Sequence, residues 1–222
     1  VTPRSRSEEN REVVDWRIAL QPSGAASVQG SMTYWGTAAP ELRYELDNAS
    51  PDDRRLWLET LLARRCSGAL VDSIQITGAN PTSDPLTIAF TFRTATMATR
   101  RGADLVFRPG TVASSDLPDY FRSPKRVHPI RFQFGMRREV SLAIAMPHGW
   151  RADTLMQADS TASPFGEAHW LRRDEGNLFR FQSTFLLRGD DVSSEEYPGF
   201  REFLGGGREK DLREVVLTPG GR

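Results

Sequence analysis

Cysteine occurs once, at Cys66, in a chain of 222 residues. A single thiol excludes an internal disulfide and any zinc site built from several cysteines. Lysine is nearly as scarce: Lys125 and Lys210 are the only two, so arginine carries almost all the positive charge. An excess of either sign is missing too, because 29 basic residues balance 29 acidic ones. That balance removes the usual electrostatic case for binding nucleic acid or an anionic membrane surface. No stretch approaches the roughly 20 apolar residues of a membrane helix, so no membrane insertion is expected. There is no internal repeat of fixed period, no G-x-x-x-x-G-K-[ST] phosphate loop and no G-x-S-x-G elbow. A signal peptide and an initiator Met are lacking as well, and residues 1–11 are polar and rich in Arg, Ser and Glu. This run is expected to be a linker cut from a longer polypeptide.

What the chain does have is apolar material in strand-like order. The hydrophobic fraction is 38%, with 12 Phe and 5 Trp, enough for a packed core. Val14, Trp16, Ile18 and Leu20 alternate with polar or small residues, the mark of a half-buried strand. Pro22-Ser23-Gly24 signals a turn into Val28, Met32 and Tyr34. Leu42, Tyr44 and Leu46 alternate again and predict a further strand. Ser50-Pro51-Asp52-Asp53 then predicts a helix start, with a serine N-cap, proline in the first turn and acids at the positive end of the dipole. Leu58, Leu61 and Leu62 follow at helical spacing, and Gly68 marks the exit. Strands are predicted at Ile74–Ile76, Leu86–Phe92 and Leu105–Phe107, then at Ile130–Phe134, Val140–Met146, 167–172 and 178–187. Ser193 or Ser194 is placed as the cap of a short helix through Leu204 that stops at Gly205-Gly206-Gly207, and Leu212, Val215 and Val216 as one more amphipathic turn. The fold expected is mainly β: tandem antiparallel β-sandwich-like modules, each with a short helix. The first spans residues 12–108 and the second 120–222, with a boundary near 109–119; a single extended two-sheet sandwich is the alternative.

The chemically capable residues do not fall into a catalytic pattern. Cys66 lies at the C-terminal end of the predicted helix, where the dipole disfavours a thiolate, and reads as a buried structural cysteine. His128, His148 and His169 are 20 and 21 residues apart, without the short spacing of metal-binding pairs. Gly205-Gly206-Gly207 with Arg208 and Lys210 could cradle an anion, but a helix C-cap explains these glycines more simply. The pairs Asp52-Asp53, Asp190-Asp191 and Glu195-Glu196 read as solvated capping or loop residues. Trp16, Phe90, Phe92, Phe132, Phe134, Phe179 and Phe181 sit at period 2 and read as core, rather than as a stacking surface for sugars or bases. No catalytic, cofactor-binding or metal residue is therefore assigned, and no cofactor is expected.

Several pieces nevertheless occur in a distinctive order. In the first half these are Asn10 and then Gly24, Gly36 and Ala38 ahead of Arg43, Leu61-Leu62, and Gly68-Ala69. The second half has Arg126-Val127-His128-Pro129-Ile130, Met146-Pro147-His148-Gly149-Trp150 and Tyr197-Pro198-Gly199-Phe200-Arg201-Glu202-Phe203. The ordered set, from about residue 8 to 217, resembles the region that follows the catalytic domain in bacterial transglutaminase-like proteins, where paired transglutaminase-associated domains of unknown function occur. The resemblance implies a non-catalytic accessory region that packs against or positions a transglutaminase- or protease-like domain of the same natural chain. It also implies a periplasmic or extracytoplasmic location. In that family the Cys, His and Asp chemistry belongs to the preceding papain-like domain, so no catalytic role carries over. A binding module for envelope glycans or proteins is the alternative.

Overall fold

The computed structural model describes residues 7–79, 85–113, 123–153 and 156–220. Twelve strands and four helices are described: β1 Arg11–Leu20, β2 Ala26–Tyr34, α1 Ala38–Asp47, α2 Pro51–Ala63, β3 Leu70–Thr77, β4 Leu86–Thr94, β5 Thr99–Arg101, β6 Asp104–Phe107, α3 Pro109–Ala113, β7 Met136–Ala145, β8 Trp150–Ala152, β9 Met156–Ser163, β10 Gly166–Asp174, β11 Leu178–Leu187, α4 Tyr197–Asp211 and β12 Val215–Pro219. The mainly β class expected from the alternating pattern is what forms. The strands make two sheets, one of eight strands in the order β3-β4-β2-β1-β7-β11-β10-β9 and one of four in the order β5-β6-β12-β8. Within the large sheet β1 and β7 run parallel, whereas its other neighbouring strands are antiparallel. The two halves of the sequence thus meet inside one sheet, and the small sheet also draws two strands from each half.

One face of the large sheet is buried. Val14, Trp16 and Ile18 of β1 share it with Ile88, Phe90 and Phe92 of β4, Leu142 and Ile144 of β7, and Phe179 and Phe181 of β11. Trp16 meets Phe90 and Phe92 edge-on at 5.6 and 5.5 Å between ring centroids, the arrangement that aromatic quadrupoles favour. Gly30 of β2 lies between them because a Cβ there would come within 2.9 Å of both the Trp16 and the Phe90 rings. Leu58 and Leu62 of α2, Leu105 and Phe107 of β6, and Val215 and Leu217 of β12 close this core from the other side. A second cluster gathers around α4, where Tyr197, Phe200, Phe203 and Leu204 pack with Ile130, Leu187 and Val192.

Several expectations are confirmed residue by residue. The Ser50 hydroxyl accepts from the Asp53 N–H at 3.2 Å, and Pro51 opens α2. Cys66 is buried just beyond that helix. Four others are corrected. Leu42, Tyr44 and Leu46 lie on α1, not on a strand; Ala39, Arg43 and Leu46 are its buried positions, a helical spacing that the alternation of Leu42 and Leu46 around Tyr44 concealed. Ile130–Phe134 forms no strand: Ile130 makes one isolated bridge to Val192, and Phe132 turns onto Phe200 of α4, so the period of two comes from packing without a ladder. The helix does not stop at Gly205-Gly206-Gly207 but runs on to Asp211, because its last turn is held by side-chain contacts described below. Leu212 ends that helix, whereas Val215 and Val216 belong to β12 and pair with β6. Ser193 does take part at the start of α4, exchanging hydrogen bonds with Glu196 in a reciprocal box. The segment 109–119 holds α3 and otherwise falls outside the described residues.

Candidate functional site

The side chains most capable of chemistry are dispersed. Burial pushes the Cys66 thiol up to about 11, against a smaller downward pull from Arg65. A thiol in that state is protonated and a poor nucleophile at neutral pH. His128, His148 and His169 are exposed on a loop, a turn and β10 respectively, and His169 lies 4.0 Å from Glu167. Among the described residues no group of three or more His, Cys, Asp or Glu side chains gathers as a metal site. No helix among them is long and apolar enough to cross a membrane.

The residues of the resemblance motifs meet in pairs, and the contacts are structural. The Asn10 side-chain carbonyl accepts from both the N–H and the hydroxyl of Thr37, at 3.0 and 2.9 Å. Gly36, at φ +68°, lies against Glu9 and Asn10 where a side chain would collide with both. Arg43 donates to the Gly78 carbonyl at 2.9 Å. In the second half, Arg126 lies over the Tyr197 ring at 5.8 Å, and the Tyr197 hydroxyl donates to the Ser123 carbonyl at 2.6 Å. The Arg126–Ile130 piece is thus fastened to the Tyr197–Phe203 piece.

A buried polar cluster clamps the far end of α4 to the large sheet. The Trp170 indole N–H donates to Asp211 at 2.6 Å, and Lys210 pairs with Asp159 of β9 at 2.8 Å while lying 5.1 Å from the Trp170 ring centroid. Arg172 is 1% exposed, sits over the Phe181 ring and donates through Nη2 to the Lys210 carbonyl, which leaves its Nε and Nη1 without hydrogen-bond partners among the described residues. Burial holds this guanidinium below its ordinary value, and nearby Arg213 adds to the effect. Burial pushes the Asp211 carboxyl up, while the Trp170 N–H, Arg138 and Arg172 draw it back. Sequence reading missed this cluster because its members come from separate strands and from a helix turn expected to be absent.

Among the described residues, the opposite face of the large sheet is open. Its centre is a trough of about 850 Å3 lined from six strands. Ala19, Ser27, Ala143 and Ala145 make a floor of small side chains, while Arg17, Arg93 and Arg180 stand along it. Arg93 is held by Asp72 at 2.8 Å and Arg180 by Glu175 at 2.9 Å. Arg17 is exposed on β1, beside Gln29 of β2 and Ala143 of β7 in register, and has no ion-pair or hydrogen-bond partner among the described residues. The strands present no Phe, Tyr or Trp on this face.

Residues 104–217, just over half of the chain, match the sequence family described as a domain of unknown function with a solved structure, DUF3858. The chain belongs to the DUF3858 family. The matched span opens on β6 and closes on β12, which pair antiparallel with Leu105 opposite Leu217, so the family unit is closed by its own first and last strands. Among solved structures the chain is similar to a Parabacteroides distasonis protein described as a "putative protease", with 17% identity and a TM-score of 0.44. That similarity covers 51% of this chain and 23% of the other. No curated protein matches the chain.

Proposed function

We propose that this DUF3858 chain is a non-catalytic accessory region that packs against or positions a transglutaminase- or protease-like domain in the same natural chain, on the extracytoplasmic side of a bacterial cell. The observation that carries this reading is the asymmetry of the large sheet. Among the described residues, one face is closed by helices and the small sheet, and the other is an open trough floored by small side chains and edged by arginines. A broad face of small residues suits contact with a folded neighbour more than enclosure of a small molecule. The scattered histidines, the buried thiol and the structural use of the motif residues support a role without covalent chemistry. Absence of aromatic side chains from the open strand face speaks against the glycan-binding alternative, since sugar recognition draws on aromatic platforms.

The experiment is limited proteolysis of the full natural protein between its catalytic domain and this region, followed by size-exclusion chromatography under native conditions. The expected result is co-elution of the two pieces, with peptide amides of β1, β2 and β7 exchanging hydrogen more slowly in the pair than in the isolated chain. Separate elution with unchanged exchange would overturn the accessory reading.

A further inference from the structure

The trough has a charge arrangement that specifies more than an open surface. Its lining carries three arginines, Arg17, Arg93 and Arg180, and one acid, Asp72. Arg93 takes up Asp72 through both Nε and Nη2, and Arg180 takes up Glu175 from beyond the lining. Arg17 remains, at the middle of the eight strands. Asp15 is on the same strand and face two residues away, beside Ser31 and Ser141, but no ion pair joins it to Arg17. The residues around Arg17 are short: Ala19 and Ser27 pair in the next row, and Ala143 and Ala145 flank it on β7. Small neighbours leave the guanidinium uncovered and let an incoming backbone approach the sheet closely.

We infer that Arg17 is the docking point for an aspartate or glutamate side chain presented by the neighbouring domain of the natural chain. The inference rests on the accessory reading above and names the surface and the chemistry of its occupant. A guanidinium offers two parallel N–H donors that match a carboxylate, and it stays charged at any physiological pH. Gln29, Ser27 and Thr91 in the same trough supply further hydrogen-bonding groups for the polypeptide on either side of that carboxylate. A docked domain would exclude water from the pair, which strengthens an interaction that is weak when exposed. The occupant is therefore acidic and proteinaceous: the balanced net charge gives no reason for nucleic acid, and the strand face lacks aromatic rings for a glycan.

The scarcity of lysine makes this directly testable. In the full natural protein carrying Arg17→Lys, a zero-length carbodiimide joins the new amine to any carboxylate in contact with it. The chain's own lysines are Lys125 and Lys210, and the Lys210–Asp159 pair at 2.8 Å provides an internal positive control. The expected product links position 17 to an Asp or Glu of the neighbouring domain. Arg17→Gln is expected to weaken association of the proteolysed pieces at least tenfold with no change in melting temperature, and Arg17→Lys to restore most of it. Three outcomes overturn the inference: a link confined to Asp15 or Asp72 of the same chain, a link to a second copy in an isotopically mixed sample, or no link at position 17 while Lys210–Asp159 forms. If any of these occurs while the pieces still co-elute, the accessory reading stands without this docking point. If the pieces separate even with Arg17 intact, the accessory reading itself falls.

Discussion

At the scale of single residues, several buried polar side chains are tied down by partners distant in sequence, and local sequence carries little warning of it. Asn10 falls in a run expected to be a linker, yet it is buried and fixes Thr37 across the β1–β2 hairpin. Arg43 and Arg172 are buried in elements whose apolar pattern alone was legible. Cys66 is the exception, since its place after a helix pointed to burial. Its thiol yields a prediction with a definite sign. Folding raises it from the ordinary value of 9.0 to about 11, so the folded state holds the proton more tightly than the unfolded one. The resulting contribution to stability is fully present below pH 9 and is lost as pH rises toward 11. Each tenfold gain in proton affinity corresponds to about 1.4 kcal/mol, which puts the loss at roughly 2–3 kcal/mol across that window. Cys66→Ala is expected to flatten the fall in melting temperature between pH 8.5 and 10.5 relative to the parent chain. Iodoacetamide at pH 8 should label Cys66 only after denaturant is added. Rapid labelling of the native chain would show that the thiol is neither buried nor raised.

At the scale of elements, α4 is the most informative. It carries Gly205, Gly206 and Gly207 in its interior, each costing a helix about 1 kcal/mol relative to alanine. It survives because both ends are fastened. Phe200 meets Phe132 and Phe165 edge-on, Phe203 stacks on Phe185, and the Asp211, Lys210 and Arg172 contacts hold the last turn. Nothing lies within 4 Å of a Cβ added at Gly205 or Gly206. Gly205→Ala and Gly206→Ala are therefore each expected to stabilise the chain by about 0.5–1 kcal/mol, read as a shift in the urea midpoint without a change in slope. Destabilisation by either would mean that the helix does not run through the glycines in solution. The alternating strands β1, β4 and β7, and the first half of β11, were legible in the sequence because one face of each is buried. β9 was not: it is an edge strand of small and polar residues, and its pairing is decided by β10. For α1 and α4, tertiary contacts outweighed the local signal. The trough was legible only as the polar half of each alternation, because a two-dimensional arrangement of side chains across six strands needs a register that no single strand encodes.

At the scale of the whole molecule, the two halves are interlocked twice. β1 and β7 join them in the large sheet, where Glu139 of β7 bridges Arg11 at 2.8 Å and Arg137 at 2.7 Å. The small sheet interleaves β5 and β6 from the first half with β8 and β12 from the second. Residues 7–113 and 123–220 produced as separate chains should each lack native near-ultraviolet dichroism, because Trp16 and Phe179 each lose a covering layer. Mixed together, they should regain it. Two independently folded halves that fail to associate would contradict the interlocked arrangement. The proposed extracytoplasmic location belongs to this scale as well, and cell fractionation of the natural protein tests it.

The parallel seam also has a consequence during biosynthesis. β1 ends at Leu20 and β7 begins at Met136, so 115 residues lie between the two strands that must pair. At about 5–20 residues per second, β1 waits on the order of 6–25 s after leaving the ribosome before its partner is made. Throughout that interval one edge of a hairpin rich in Val, Ile and Trp has no neighbour, and it is the kind of edge that invites pairing with another nascent chain. The newborn polypeptide should therefore depend on holding chaperones until residue 145 has emerged. Truncated translation products that end before β7 should be recovered bound to them.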